Sequence, residues 1–78
     1  MMIFDEVRDI IVDTLACEED QVKMETSLSE DLDADSLSIV ELTMALEENY
    51  GISIADEEAA ALKTVGDIVN YIESHKNA

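Results

Sequence analysis

The sequence predicts an all-α fold, a small four-helix bundle built from three longer helices and one short one. Three observations carry that prediction. Apolar residues recur at helical spacing in three separate stretches. The chain has no proline and only two glycines, Gly51 and Gly66, which fits helices with brief connections better than a sheet full of tight turns. Its 78 residues, 47% of them hydrophobic, suffice for a single domain over positions 1–78. A domain of that size buries only about 60% of the surface its unfolded chain exposes, so the core must be economical. With Phe4, Tyr50 and Tyr71 as the aromatics, aliphatic side chains have to fill it.

The first helix is expected from Ile3 to Ala16. Ile3, Val7, Ile10, Ile11 and Leu15 fall on one side with Phe4, while Asp5, Glu6, Arg8, Asp9 and Asp13 supply the wet face. Between Cys17 and Asp35 the period weakens, with Val22, Met24, Leu28 and Leu32 as isolated apolar anchors. A connection of that length is long for a compact domain, and its anchors argue that it is packed down. The second helix is expected from Ser36 to Tyr50, with Asp35 as N-cap and Gly51 ending it in a left-handed conformation. It has two apolar stripes: Ile39, Leu42, Leu46 and Tyr50 on one side, Leu37, Val40 and Met44 on the other. Glu41, Glu47 and Glu48 edge the second stripe and could not all be buried without partners, so the first stripe is read as core and the second as a partly exposed docking surface. Ile52 and Ile54 form a brief extended link, and Asp56 offers an N-cap for a short helix through Ala59-Ala60-Ala61-Leu62. In the last helix Thr64 and Asp67 make a capping-box-like pair, Val65, Ile68, Val69 and Ile72 form the buried face, and fraying is expected from Ser74 to Ala78.

Charge narrows the function. Twenty acidic residues against four basic ones give a formal charge of −16. Nucleic acid binding, which needs clustered Lys and Arg, is excluded as a reading, and an anionic membrane surface is disfavoured for the same reason. Such a surface aids solubility and steers the domain toward basic faces on other proteins. The start of the chain lacks a signal peptide's basic region and no apolar run approaches the ~18 residues of a membrane span, so a cytoplasmic monomer is expected. The lone Cys17 reads as a small buried hydrophobe and the lone His75 as a surface residue.

Chemistry centres on Asp31-Leu32-Asp33-Ala34-Asp35-Ser36-Leu37, where an acidic loop runs into the second helix. Ser36 would be its first helical residue, a hydroxyl at the positive end of the macrodipole where a phosphate is favourably held. The Asp31, Asp33, Asp35 alternation suggests an EF-hand calcium loop, but the position needing glycine holds Ser36 and the bidentate acidic position holds Leu42, so no dedicated metal site is expected. A calcium-binding or purely protein-interacting module remains a distant alternative. A serine hydrolase is a poorer fit, because there is no Gly-x-Ser-x-Gly elbow and no supported base. The sequence offers an addressable serine without machinery to activate it, and no catalytic role is assigned.

The run from Asp31 to Leu37, followed by Val40-Glu41-Leu42 and Met44-Ala45-Leu46-Glu47-Glu48, resembles the acyl carrier proteins of the bacterial, free-standing type, and the similarity extends through Asp56-Glu57-Glu58-Ala59 and Thr64-Val65. The resemblance implies that Ser36 receives 4′-phosphopantetheine from coenzyme A through a separate phosphopantetheinyl transferase, and that acyl groups ride on the arm as thioesters, chiefly in fatty acid biosynthesis. Polyketide, peptidyl or D-alanyl transfer stays open as an alternative. By position, Asp35 and Leu37 belong to the attachment motif. Leu37, Val40, Glu41, Met44, Glu47 and Glu48 match the helix gripped by acyl-processing enzymes with basic docking faces, and Ile39, Leu42 and Leu46 would line the acyl pocket. Two positions depart from the family pattern: Asp33 stands where glycine is usual, and Ala55 replaces a common proline, which is expected to loosen the start of the short helix.

Overall fold

The computed structural model describes residues 2–76. Among them are four α-helices: α1 (Ile3–Leu15), α2 (Ser36–Tyr50), α3 (Asp56–Ala61) and α4 (Val65–Lys76), with one 3₁₀ turn at Glu19–Gln21. The three longer helices converge on an aliphatic centre in which Val7 and Ile11 of α1, Leu42 and Leu46 of α2, and Val65, Ile68 and Ile72 of α4 are essentially fully buried. Each such side chain contributes on the order of 1.5–3 kcal/mol through burial, so these seven dominate the stability. By contrast α3 buries none of its own residues.

Helix ends follow local chemistry. α1 stops at Leu15, one residue earlier than its apolar pattern suggests, because Ala16 takes a left-handed conformation with φ 56. An alanine there carries a steric cost that glycine would not. Ala16→Gly is therefore expected to stabilise the domain by about 0.5–1 kcal/mol, after allowing for the more flexible unfolded chain, and to raise the melting temperature by a few degrees. Thermal unfolding followed by circular dichroism checks this. Gly51 ends α2 as expected, at φ 64 with its N–H on the Glu47 carbonyl at 2.8 Å. At α4 the capping pair is reciprocal: Asp67 N–H donates to Thr64 Oγ1 and Thr64 N–H to Asp67 Oδ2, both at 3.2 Å.

Two expectations need correction. Asp56 is not the cap of α3 but its first helical residue; the cap position falls to Ala55, whose N–H donates to Glu58 Oε1 at 3.4 Å. Ala55, where proline is usual, sits at φ −68, the value a proline ring would impose. And α4 stays helical through Ser74 to Lys76, supported by His75, whose Nδ1 lies 2.8 Å from the Tyr71 carbonyl and whose ring stacks on Tyr71 at 3.9 Å. Asn77 and Ala78 lie outside the described residues.

The long connection before α2 is packed down, though not wholly by the side chains the pattern singles out. Val22 and Leu28 are 2% exposed, whereas Met24 is 45% exposed. Met24 anchors through its backbone instead, its carbonyl accepting from Gly66 N–H at 2.8 Å. Thr26 N–H and hydroxyl knit the loop to Lys23 and Gln21, while its carbonyl accepts from Val65 N–H at 3.0 Å and Leu28 N–H donates to Lys63 O at 3.0 Å. Around these bonds lies an isolated antiparallel bridge between Ser27 and Thr64. The loop thus borrows backbone partners from the start of α4, which satisfies polar groups that burial would otherwise strand. Cys17 packs half-buried beside α1, its thiol donating to the Ile11 carbonyl at 3.9 Å, and burial pushes that thiol up.

Candidate functional site

The approach to α2 is set by two short-range devices. Asp31 folds the loop back, its Oδ2 accepting from Ser27 N–H at 2.7 Å, and Ala34 N–H returns to the Leu28 carbonyl at 2.9 Å. Between them Asp33 turns the chain at φ 55, a left-handed setting that aspartate adopts more readily than most residues. The aspartate is thus compatible with the geometry that glycine would supply. Asp35 then caps α2 by accepting from Ser38 N–H at 2.9 Å. Ser36 follows as the first residue of the helix, with its side chain exposed.

The hydrogen bond from the Ser38 backbone, followed by that from its side chain, holds the Asp35 carboxyl below the usual carboxylate range. A carboxyl whose value is lowered on folding adds stability that is fully present above the unfolded value of about 3.9 and is lost as the pH falls through the lower folded value. Asp35→Asn keeps an acceptor and removes the titration. Wild type is therefore expected to exceed Asp35→Asn in stability above roughly pH 4 and to converge with it in stronger acid. Urea unfolding at a series of pH values reads the difference.

Beside Ser36 an open groove of about 930 Å³ runs between α2 and α3. Val40 and Met44 form one bank, Ala59 and Ala60 the other, and Ile54 and Leu62 line it where the chain passes into and out of α3. Neither histidine nor cysteine lines it. A second hollow, of about 770 Å³, lies between α1 and α2 under Asp9, Asp13 and Glu19 and shares no lining residue with the first. Asp31 and Asp35 each spend a carboxylate oxygen on a backbone N–H, and among the described residues no group of three His, Cys, Asp or Glu side chains is placed to hold a metal ion.

The two stripes of α2 separate as their spacing suggests. Leu37, Val40 and Met44 are 67%, 52% and 54% exposed, against 1% and 0% for Leu42 and Leu46. Glu41 and Glu48 stand exposed along the outer stripe. Of the three residues expected to line an acyl pocket, Ile39 is half-buried and reaches the groove, while Leu42 and Leu46 lie behind it in the filled core. The wall residues Ile54, Ala59 and Leu62 come from chain segments with too little periodicity to reveal their facing. Glu47 differs from its two neighbours. It is half-buried, and its Oε2 accepts from Ile54 N–H at 2.7 Å, so it clamps the connection to α3 as well as edging the stripe. From α4, Tyr71 donates its hydroxyl to Glu58 Oε1 of α3 at 3.0 Å and lies 3.4 Å from the Ser53 carbonyl. Burial and the Glu58 carboxylate push that phenol up.

The site is thus a small helical bundle with an exposed serine, next to the Asp35 cap, at the edge of a groove. Comparison with known proteins agrees. Residues 5–72 match the family model described as "Phosphopantetheine attachment site". The chain is 54% identical over 74 residues to an acyl carrier protein of Clostridium acetobutylicum, covering 95% of this chain and 96% of the relative. With an acyl carrier protein of Wolinella succinogenes it is 51% identical over 76 residues, covering 97% and 100%. A solved structure of the acyl carrier protein from Enterococcus faecalis superposes with a TM-score of 0.78 at 38% identity, covering 95% of this chain and 98% of the other. The chain belongs to the acyl carrier proteins, the family that carries 4′-phosphopantetheine covalently. No helix among the described residues is long and apolar enough to cross a membrane.

Proposed function

We propose that this protein carries acyl intermediates as thioesters on a 4′-phosphopantetheine arm joined to Ser36, in the fatty acid biosynthesis of the cytoplasm, and that it catalyses no step itself. The observation that carries the assignment is Ser36, exposed at the first position of α2 and opening onto the groove. A phosphodiester there lies at the positive dipole end of a fifteen-residue helix whose Ser38 N–H is taken up by Asp35. The residues fit the group: an exposed hydroxyl takes the phosphate, and a groove with small residues on one bank leaves room for a slender chain. When bound, the arm supplies a terminal thiol that forms the thioester.

The loading enzyme supplies the base that takes the serine proton on this reading, since the groove is lined by carboxylates but by no histidine or cysteine. Leu37, Val40 and Met44 give that enzyme an apolar contact, and exposed Glu41 and Glu48 complement a basic rim around it. Asp35 holds the first turn so that Ser36 is presented in one orientation. Ile39 lines the groove that would shelter an acyl chain. The test is intact mass after incubation with coenzyme A, magnesium and a phosphopantetheinyl transferase. Gain of one phosphopantetheine is the expected result, and an unchanged mass would overturn the assignment.

A further inference from the structure

Glu47 stands at a point where two demands meet. Its side chain edges the outer stripe of α2 one turn beyond Met44, yet its Oε2 holds Ile54 N–H at 2.7 Å. The segment so held leads into α3, which buries no residue of its own and forms one bank of the groove. What positions α3 is therefore half-buried Ala59 against the core, the flanks Ile54 and Leu62 at 8% exposure each, and two tethers. One tether is the Glu47 clamp and the other is Tyr71 on Glu58 at 3.0 Å. Of these tethers the Glu47 clamp alone originates on the helix that partner enzymes are proposed to grip.

We infer that Glu47 is a latch: a cationic side chain of a docked enzyme draws its carboxylate off Ile54 N–H and so frees α3 to move from the groove. This rests on the carrier reading, since it needs a basic partner on α2. The physical basis is competition for lone pairs. A guanidinium binds a carboxylate through two parallel N–H···O bonds that occupy both oxygens in one plane, and this arrangement is stronger than a single bond from a neutral amide. Ile54 N–H then turns to water for an acceptor, and the short α3, with no fully buried side chain, is left with the Ala59 contact and the Tyr71 tether. Docking and widening of the groove are thereby one event, with the electrostatic attraction that brings the partner also releasing the wall. Glu47 acts through Ile54 and is a positioning residue.

Amide hydrogen exchange resolved by residue tests this, with a phosphopantetheinyl transferase as the docking probe and coenzyme A withheld so that Ser36 stays unmodified. In the wild type, saturating transferase is expected to speed exchange at Ile54 and through α3 by roughly tenfold or more, the loss expected for a hydrogen bond to a charged acceptor, while α4 is unchanged. Glu47→Gln retains an oxygen for Ile54 N–H but offers no charge to a cation. In that variant, saturated with transferase at higher concentration, the acceleration should be absent. Unchanged or slower exchange at Ile54 in the wild-type complex overturns the latch, and so does equal acceleration in wild type and Glu47→Gln. Coenzyme A and magnesium are then added to the same wild-type sample. Gain of the phosphopantetheine mass with no acceleration at Ile54 refutes the latch alone, whereas no gain refutes the carrier reading and the latch with it.

Discussion

Ser36→Ala is expected to eliminate loading completely while leaving the fold as it is. The serine side chain is exposed and makes no hydrogen bond that supports α2, whose cap comes from Asp35. Alanine is the strongest helix former and suits the first turn, so the change in stability should stay within about 0.5 kcal/mol. The expected pair of readings is thus an unshifted melting temperature and an intact mass that no transferase treatment alters. Thr14, Ser29, Ser38 and Thr43 also carry hydroxyls, which gives the experiment its discriminating power. Retention of the added mass in Ser36→Ala would place the attachment elsewhere.

Gly66→Ala is expected to destabilise the domain by about 1–3 kcal/mol, although helix propensity alone points the other way. Gly66 lies in the first turn of α4, where exchanging glycine for alanine would ordinarily gain up to about 1 kcal/mol. Here an added Cβ would come 2.9 Å from the Met24 carbonyl oxygen, closer than a carbon and an oxygen can pack. That oxygen belongs to the backbone and accepts the Gly66 N–H at 2.8 Å, so it cannot swing aside without breaking the bond. Relieving the contact means lifting residues 24–28 from the start of α4, together with the Val65 and Leu28 hydrogen bonds and the Ser27–Thr64 bridge. Overpacking of this kind is the stronger effect, and for a domain of this size it corresponds to a fall of roughly 5–15 °C in melting temperature. A melting temperature that rises would mean the loop yields easily and that helix propensity decides.

These two expectations mark how much was legible beforehand. α1, α2 and α4 could be read because each has a repeating apolar face and recognisable end signals, above all Asp35 with Ser36, Gly51, and Thr64 with Asp67. The place of Ser36 at the helix start followed from the Asp35 cap, and the outer stripe from periodicity, since helical spacing fixes which side chains share a face. The contact that Gly66 makes with Met24 could not be read, because a close approach between backbones forty-two positions apart leaves no mark on side-chain pattern. Met24 looked like an apolar anchor and is one only through its carbonyl, for the same reason. Helical spacing sets Glu47 with Glu41 and Glu48 beside the outer stripe and so reads it as a docking charge; the N–H it clamps lies past the turn at Gly51, where helical geometry no longer says what faces what. The groove walls escaped as well. Their residues come from a linker and a six-residue helix, too short for any period to show an orientation.

That short helix has a bearing on how such a domain can diverge. Because Ala59 is the only residue of α3 that packs against the hydrophobic centre, substitutions at its other positions leave the main source of folding energy untouched, while Asp56 and Ala60 among them line the groove. With the groove read as the proposed shelter of the acyl chain, tolerance to mutation and choice of cargo are located in different parts of the chain. A lineage could retune what it shelters by drift within six consecutive residues, at little risk to the scaffold that presents the serine.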